Sequence, residues 1–374
     1  MKILYIVGNR PQFVKLAVLH HHIKQYPFIK ETVIHTGQHF TEEMSDVFFE
    51  ELLIDLPIID LEVNSLSHVA MLGKFLEMLE PAILQEHPDL IIVFGDTNTT
   101  LAGALAGKKL QIPVVHIESG IRTFEEHMPE ESNRYITDRV SSLNFCCTQL
   151  GVENLKKEGY NSGMIDTKVI LSGDIMLDAY YYFQNQFSNK SDLFDAHSLE
   201  KGDYIICTIH RRQNIDDPDT LKNIIFALNE INKQCKIIFP IHPNTRKKLL
   251  KYGLQVDFKL ISPLGYLDMQ NVLQHCKYVI TDSGGLQREA FFANKPVLIL
   301  MEKPFWPEVI ESGNALCCSA VHSEILSTFQ QLKMKKKDND ISVFGRGNAA
   351  EIITRELISR FSKNSMNKVS RINE

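Results

Sequence analysis

Short apolar runs rich in β-branched residues alternate along this chain with longer segments whose apolar positions recur every three or four residues. The runs Lys2–Val7, Glu31–His35, Leu90–Gly95, Val114–Ile117 and Leu143–Cys147 have the length and composition of buried strands. Between them, Phe13, Leu16, Leu19 and Ile23, and then Val69, Leu72, Leu76, Leu79 and Ile83, mark apolar helix faces. After a polar and aromatic stretch at Tyr180–Lys201 the alternation restarts with Tyr204–Thr208, Lys236–Ile241, Phe258–Ile261, Tyr278–Thr281 and Pro296–Leu300. Strands that are apolar throughout belong to parallel sheets covered on both faces by helices. The pattern therefore predicts an α/β chain of two doubly wound, Rossmann-like domains in tandem, with ligands at the carboxyl ends of the strands. A last helix over about Asn348–Phe361 could pack on either domain, and the polar tail from Ser362 is expected to fray.

Composition narrows the function. With 374 residues, 44% hydrophobic and 23% charged, the chain is neither disordered nor fibrous, and it is long enough for two cores. A net charge of −6 argues against nucleic-acid or anionic-membrane partners, so any bound anion must be met by a local site. No apolar run approaches the roughly 18 residues that span a bilayer, and the apolar start Ile3–Val7 is too short for a signal-peptide core. The expectation is a cytoplasmic protein with no membrane insertion. Seven cysteines without Cys-x-x-Cys spacing suggest reduced thiols and no zinc site. His20-His21-His22 point about 100° apart on a helix and cannot converge on one ion, so they read as a partly exposed flank. No metal and no cofactor is expected.

The chemistry lies in the residues just past each strand. After Val7 come Gly8-Asn9-Arg10-Pro11 and then Lys15, a glycine turn with Pro at the helix start and two cations near an end that prefers anions. That combination points to phosphate, although a capped βα turn with surface cations reads the same way. The Gly-x-Gly-x-x-Gly and Walker patterns are absent. Gly95-Asp96-Thr97 and Glu118-Ser119-Gly120 each put a carboxylate at a strand end, and Pro129-Glu130-Glu131 begins a helix in which Glu130 can pair with Arg134 at i, i+4. His210-Arg211-Arg212 comes after another strand and fits an anion site. Asp282-Ser283-Gly284-Gly285 opens a helix whose N–H groups can approach a diphosphate, with Glu289 two turns in to accept from ribose hydroxyls.

Taken in order, Gly8-Asn9-Arg10-Pro11, Thr36-Gly37-Gln38-His39, Gly95–Thr99, His116–Arg122, Met128–Arg134, His210-Arg211-Arg212 and Asp282–Gly285 resemble the non-hydrolysing UDP-N-acetylglucosamine 2-epimerases over nearly the whole chain. The resemblance implies a GT-B fold, two Rossmann-like domains facing across a cleft. Their bounds are 1–172 and 173–347, with the C-terminal helix 348–366 returning to the first. It also implies a homodimer, UDP held by Arg10, His210, Ser283, Gly284, Gly285 and Glu289, and a sugar surrounded by Asp96, Glu118 and Glu130. Asp96, Glu118, Glu130 and His210 are the candidate catalytic residues. Arg10, Lys15, Arg134, Met269, Ser283, Gly284, Gly285 and Glu289 are the candidate substrate-binding residues.

The family interconverts UDP-GlcNAc and UDP-ManNAc by eliminating UDP to a 2-acetamidoglucal and adding it back, for surface polysaccharide (including lipopolysaccharide) biosynthesis. Such chemistry asks for a carboxylate base and an acid on opposite faces of C2 and for donors on the departing diphosphate. Three crowded carboxylates would raise one another's pKa. The chain departs from the family pattern at Asn9, Gln12, Gln213, Met269 and Trp306, the last standing where an arginine is usual. Met44–Phe49 and Gly265–Met269 resemble the branch acting on UDP-2,3-diacetamido-2,3-dideoxy-glucuronate, an alternative substrate. A GT-B glycosyltransferase, a hydrolysing epimerase and a non-catalytic nucleotide-sugar sensor are the remaining readings.

Overall fold

The computed structural model describes residues 1–37, 51–63, 66–125, 127–163, 165, 167–188, 194, 199–335 and 340–372. Gln38, His39 and the 44–49 motif lie outside the described residues. The chain clusters into two units, one of Met1–Tyr181 with Ser342–Glu374 and one of Tyr182–Ile341.

The first unit runs β1 (Lys2–Val7), α1 (Arg10–Ile23), β2 (Lys30–His35), β3 (Ile58–Asp60), α2 (His68–Glu86), β4 (Leu90–Phe94), α3 (Asn98–Lys109), β5 (Val114–Ser119), α4 (Pro129–Val140), β6 (Leu143–Cys146), α5 (Gln149–Lys157), β7 (Lys168–Leu171) and the first half of α6 (Ile175–Ser188), within which the division falls. Its seven strands pair in parallel in the order β3-β2-β1-β4-β5-β6-β7. The second runs β8 (Tyr204–Thr208), α7 (Arg212–Ile215), α8 (Pro218–Asn232), β9 (Lys236–Pro240), α9 (Pro243–Lys251), β10 (Lys259–Ile261), α10 (Tyr266–His275), β11 (Tyr278–Thr281), α11 (Gly284–Phe292), β12 (Val297–Leu300), α12 (Pro307–Glu311), β13 (Ala315–Cys318) and α13 (His322–Met334). Its six strands are parallel in the order β10-β9-β8-β11-β12-β13. The final helix α14 (Ala349–Ile372) packs against α1 in the first unit and stays helical beyond Ser362, where the polar sequence predicts fraying.

Each sheet reverses its winding once, between β1 and β4 and between β8 and β11. Strand ends on either side of such a reversal are where an open α/β sheet leaves room for a ligand. Gly8–Arg10 and Gly95–Asp96 end the first pair, and His210 and Asp282–Gly285 the second.

Two helix faces differ from their periodicity. On α1 every residue from Gln12 to His20 is buried, because α14 covers the side turned away from the sheet. On α2 the buried row is Met71, Phe75, Leu79 and Ile83, with Leu72 and Leu76 partly buried against the same core, while Val69 is 84% exposed. His20 is also not part of an exposed flank. It is buried, with Nδ1 3.0 Å from Glu31 Oε2 and Nε2 2.6 Å from Asp55 Oδ1.

Candidate functional site

In the first unit, the ends of β1 and β4 are sewn together by Gln12. Its Oε1 accepts from Gly8 N at 2.7 Å, while Nε2 donates to the Phe94 carbonyl at 2.8 Å and to Thr100 Oγ1 at 2.9 Å. A glutamate here would set an acceptor against the Phe94 carbonyl. The Gln12 departure therefore carries a hydrogen bond that only the amide can make. Gly8 must be glycine, since a Cβ would fall 2.3 Å from the hydroxyls of Thr36 and Thr99.

Asp96 lies just past the end of β4, and Glu118 lies in the last residues of the adjacent β5, where Phe94 pairs with Ile117. Glu118 occupies an irregularity in β5. Ile117 is opposite Phe145 and Ser119 opposite Cys146, so Glu118 has no partner on β6, and its φ is +76°. A bulge of this kind re-aims a side chain, and a left-handed non-glycine residue persists only where its surroundings hold it. The carboxylate reaches Lys15 Nζ at 2.6 Å. Cys147 Sγ and an Asp174 carboxylate oxygen come within 4.8 Å of it and of each other. Asp174, which no sequence motif singled out, is thus a second carboxylate beside Glu118. It was illegible because its position depends on the return of the chain after β7.

Asp96 accepts from Arg134 Nε at 3.0 Å, and Asn133 Nδ2 donates to the Asp96 carbonyl at 2.9 Å. Arg134 is buried and turns its Nη1 to Glu131 at 2.6 Å, so the expected Glu130–Arg134 pairing is replaced by one at i, i+3. Glu131 also accepts from Thr123 N and Phe124 N. Burial acts to raise its carboxyl, but the Thr123 and Phe124 N–H donors and Arg134 outweigh burial and leave it below the ordinary range. Glu130, one residue back and about 100° around α4, is left half-buried. Asp96 and Glu118 are each paired with a cation, Arg134 and Lys15.

In the second unit, Asp282 is completely buried at the end of β11 and organises the loop after β8. It accepts from the backbone N of His210 at 3.0 Å and of Arg211 at 2.9 Å, and from Asn214 Nδ2 at 3.0 Å. The His210 side chain stays 42% exposed, its Nδ1 3.4 Å from Asp282. Ser283 caps α11, accepting from Leu286 N. Trp306 donates its indole N–H to the Gly284 carbonyl at 3.0 Å and lies 4.6 Å under the Arg288 guanidinium. Phe305 packs on Gly284, where a Cβ would come within 3.0 Å of its ring, and carries Arg211 at 4.6 Å. The region that departs from the family pattern at Trp306 thus braces the first turn of α11. Met269 is buried on α10, and its neighbour Gln270 donates to Glu289 at 2.7 Å. Arg10 is half-buried at the start of α1 in the first unit.

Among the described residues no helix is long and apolar enough to cross a membrane. The two parallel-sheet units make this a GT-B fold, the class shared by its structural neighbours. The family model for UDP-N-acetylglucosamine 2-epimerase matches residues 21–358. The UDP-2,3-diacetamido-2,3-dideoxy-D-glucuronate 2-epimerase of Pseudomonas aeruginosa is 39% identical over 96% of this chain and 99% of its own length. The UDP-N-acetylglucosamine 2-epimerase of Methanocaldococcus jannaschii is 35% identical over 96% of this chain and 99% of its own. A crystal structure of the Methanocaldococcus jannaschii UDP-GlcNAc 2-epimerase in complex with UDP-GlcNAc and UDP superposes with a TM-score of 0.89, at 34% identity, over 96% of this chain and all of that one. The chain belongs to the UDP-N-acetylglucosamine 2-epimerase family, and it is an isomerase of UDP-sugars.

Proposed function

We propose that this protein inverts C2 of a UDP-linked 2-acetamido sugar, interconverting UDP-GlcNAc and UDP-ManNAc for surface polysaccharide biosynthesis. The observation that carries the reading is Glu118, a strained carboxylate aimed by a bulge at Lys15, next to a strand end that presents Asp96 beside Arg134. The C2 proton has no adjacent carbonyl to acidify it, so removal is coupled to departure of UDP. A carboxylate takes the proton, the C1–oxygen bond breaks with its electron pair leaving on UDP, and a 2-acetamidoglucal remains. A proton delivered to the other face of C2 and return of UDP to C1 complete the inversion. Asp96, Glu118 and Glu130 are assigned to the sugar. His210, the Ser283-Gly284-Gly285 helix start and Arg10 are assigned to the diphosphate, where N–H groups and cations stabilise the leaving charge. Glu289 and Met269 are assigned to the nucleoside.

A second substrate reading, UDP-2,3-diacetamido-2,3-dideoxy-glucuronate, is favoured by the 39% identical relative. Incubation with each nucleotide sugar in deuterated water, followed by NMR at C2, separates the two. Deuterium and the C2 epimer with UDP-GlcNAc support the first reading, and turnover of the uronate alone replaces it. The resemblance supports a cytoplasmic homodimer, which light scattering on the purified protein tests.

A further inference from the structure

His116 lies inside β5, two residues before Glu118, and is completely shielded from water. Its Nδ1 is 2.7 Å from Asp138 Oδ1 and its Nε2 2.7 Å from the Gly95 carbonyl oxygen. A carboxylate and a carbonyl are both acceptors, so the ring serves both by donating from both nitrogens. The other Asp138 oxygen accepts from Gly120 N at 3.2 Å and from Arg122 Nη2 at 2.8 Å. Arg122 is held in turn by Glu158 at 2.7 Å. Burial acts to raise the Asp138 carboxyl, and His116 and Arg122 outweigh it and bring it below the ordinary range.

The two backbone groups held this way bracket the chemistry. Gly95 immediately precedes Asp96, and Gly120 lies two residues after Glu118. Gly120 is gripped from its other side as well, by Asn154 Nδ2 on its carbonyl at 3.0 Å. A buried charge cluster is a poor source of stability, because desolvating the ions offsets their attraction, and apolar side chains of similar volume would pack β5 against α4 as well. What apolar side chains could not do is hold one carbonyl and one amide of neighbouring strand ends through a single rigid pair.

We propose that His116 and Asp138 are positioning residues that set the spacing of Asp96 and Glu118 and hold the left-handed backbone of Glu118 from beneath. Neither touches substrate. The inference rests on the assignment of Asp96 and Glu118 to the sugar.

The test is His116→Gln, alone and with Asp138→Asn. The glutamine amide can still donate to Gly95 but turns an acceptor toward the Asp138 carboxylate, and Asp138→Asn supplies the missing donor. For H116Q, kcat should fall about 10- to 100-fold, as expected for a misplacement on the order of 1 Å, with KM and UDP affinity within about threefold of the parent. H116Q/D138N should recover a large part of the loss, a non-additive outcome. D138N alone, which keeps an acceptor for Gly120, should show the same split in milder form if H116Q fails to fold. An H116Q kcat within about twofold of the parent overturns the proposal. So does a loss that tracks thermal midpoint and UDP affinity in every variant. If the parent turns over neither nucleotide sugar, the proposed function fails by itself. Crystal structures of the variants then decide the positioning claim: a changed separation of Asp96 from Glu118 supports it, and an unchanged one overturns it.

Discussion

Lys15 Nζ and Glu118 Oε2 stand 2.6 Å apart, with 3% and 12% of their side chains exposed. Removing either partner leaves a shielded charge without its counterion. Glu118→Gln should lower turnover by about 10²- to 10⁴-fold, as loss of a positioned acid–base group does, and Lys15→Met should lower it by removing the cation that holds that carboxylate. Deuterium entry at C2 measures the loss, and a variant that exchanges at the parent rate removes that residue from the chemistry.

Gly120 tolerates no side chain. Its φ is +78°, and a Cβ would sit 2.3 Å from the Gly151 carbonyl oxygen. Gly120→Ala should cost at least about 2 kcal/mol in urea unfolding. Gly163→Ala is the control, with φ +82° and open space around it, so the difference between the two isolates the backbone contact.

Trp306 is the single tryptophan of the chain, and its indole N–H holds the Gly284 carbonyl at the start of α11. UDP alone should change the intrinsic fluorescence. Trp306→Phe keeps the ring over Arg288 but loses the hydrogen bond, and should weaken UDP binding about threefold to tenfold, measured by calorimetry, with little change in kcat.

Two buried groups set trends of the same sign with pH, in different windows. Burial raises the Asp178 carboxyl to about 6 against the opposing Ala350 and Ala349 N–H groups, so its folded value lies above its unfolded one. The stability this linkage contributes is present below about pH 4 and lost as pH rises through about 6. Asp178→Asn, which keeps an acceptor for Ala350 N, should therefore be more stable than the parent at pH 8, with the gap closing in acid. His20 is raised too, for although burial alone lowers it, Glu31 and Asp55 outweigh burial. Its contribution is complete below the unfolded value of about 6.5 and fades as pH climbs through the folded one. His20→Gln should flatten that part of the stability profile, read from thermal midpoints between about pH 5 and 9.

The central strands of both sheets were legible because they are apolar on both faces, and the polar residues at their ends stood out for the same reason. The strands at three sheet edges, β3, β7 and β13, gave no such run. β3 and β7 alternate with solvent, and Lys168, Asp60 and Ile58 are exposed. Candidate site residues could be read at or just past strand ends, where Asp96, Glu118, His210 and Ser283 lie. Partners were not, because Lys15 with Glu118, Arg134 with Asp96 and His116 with Gly95 join segments far apart in sequence. Which of Glu130 and Glu131 pairs with Arg134 turned on one residue of helix rotation.

The return of α14 to the first unit has a consequence for how the protein is made. The ribosome completes residues 182–341 while the first unit still lacks the helix that covers α1, including the buried Ile353 and Leu357. The unit whose chain starts first is therefore the last to be finished. During synthesis, the outer face of α1 waits for α14.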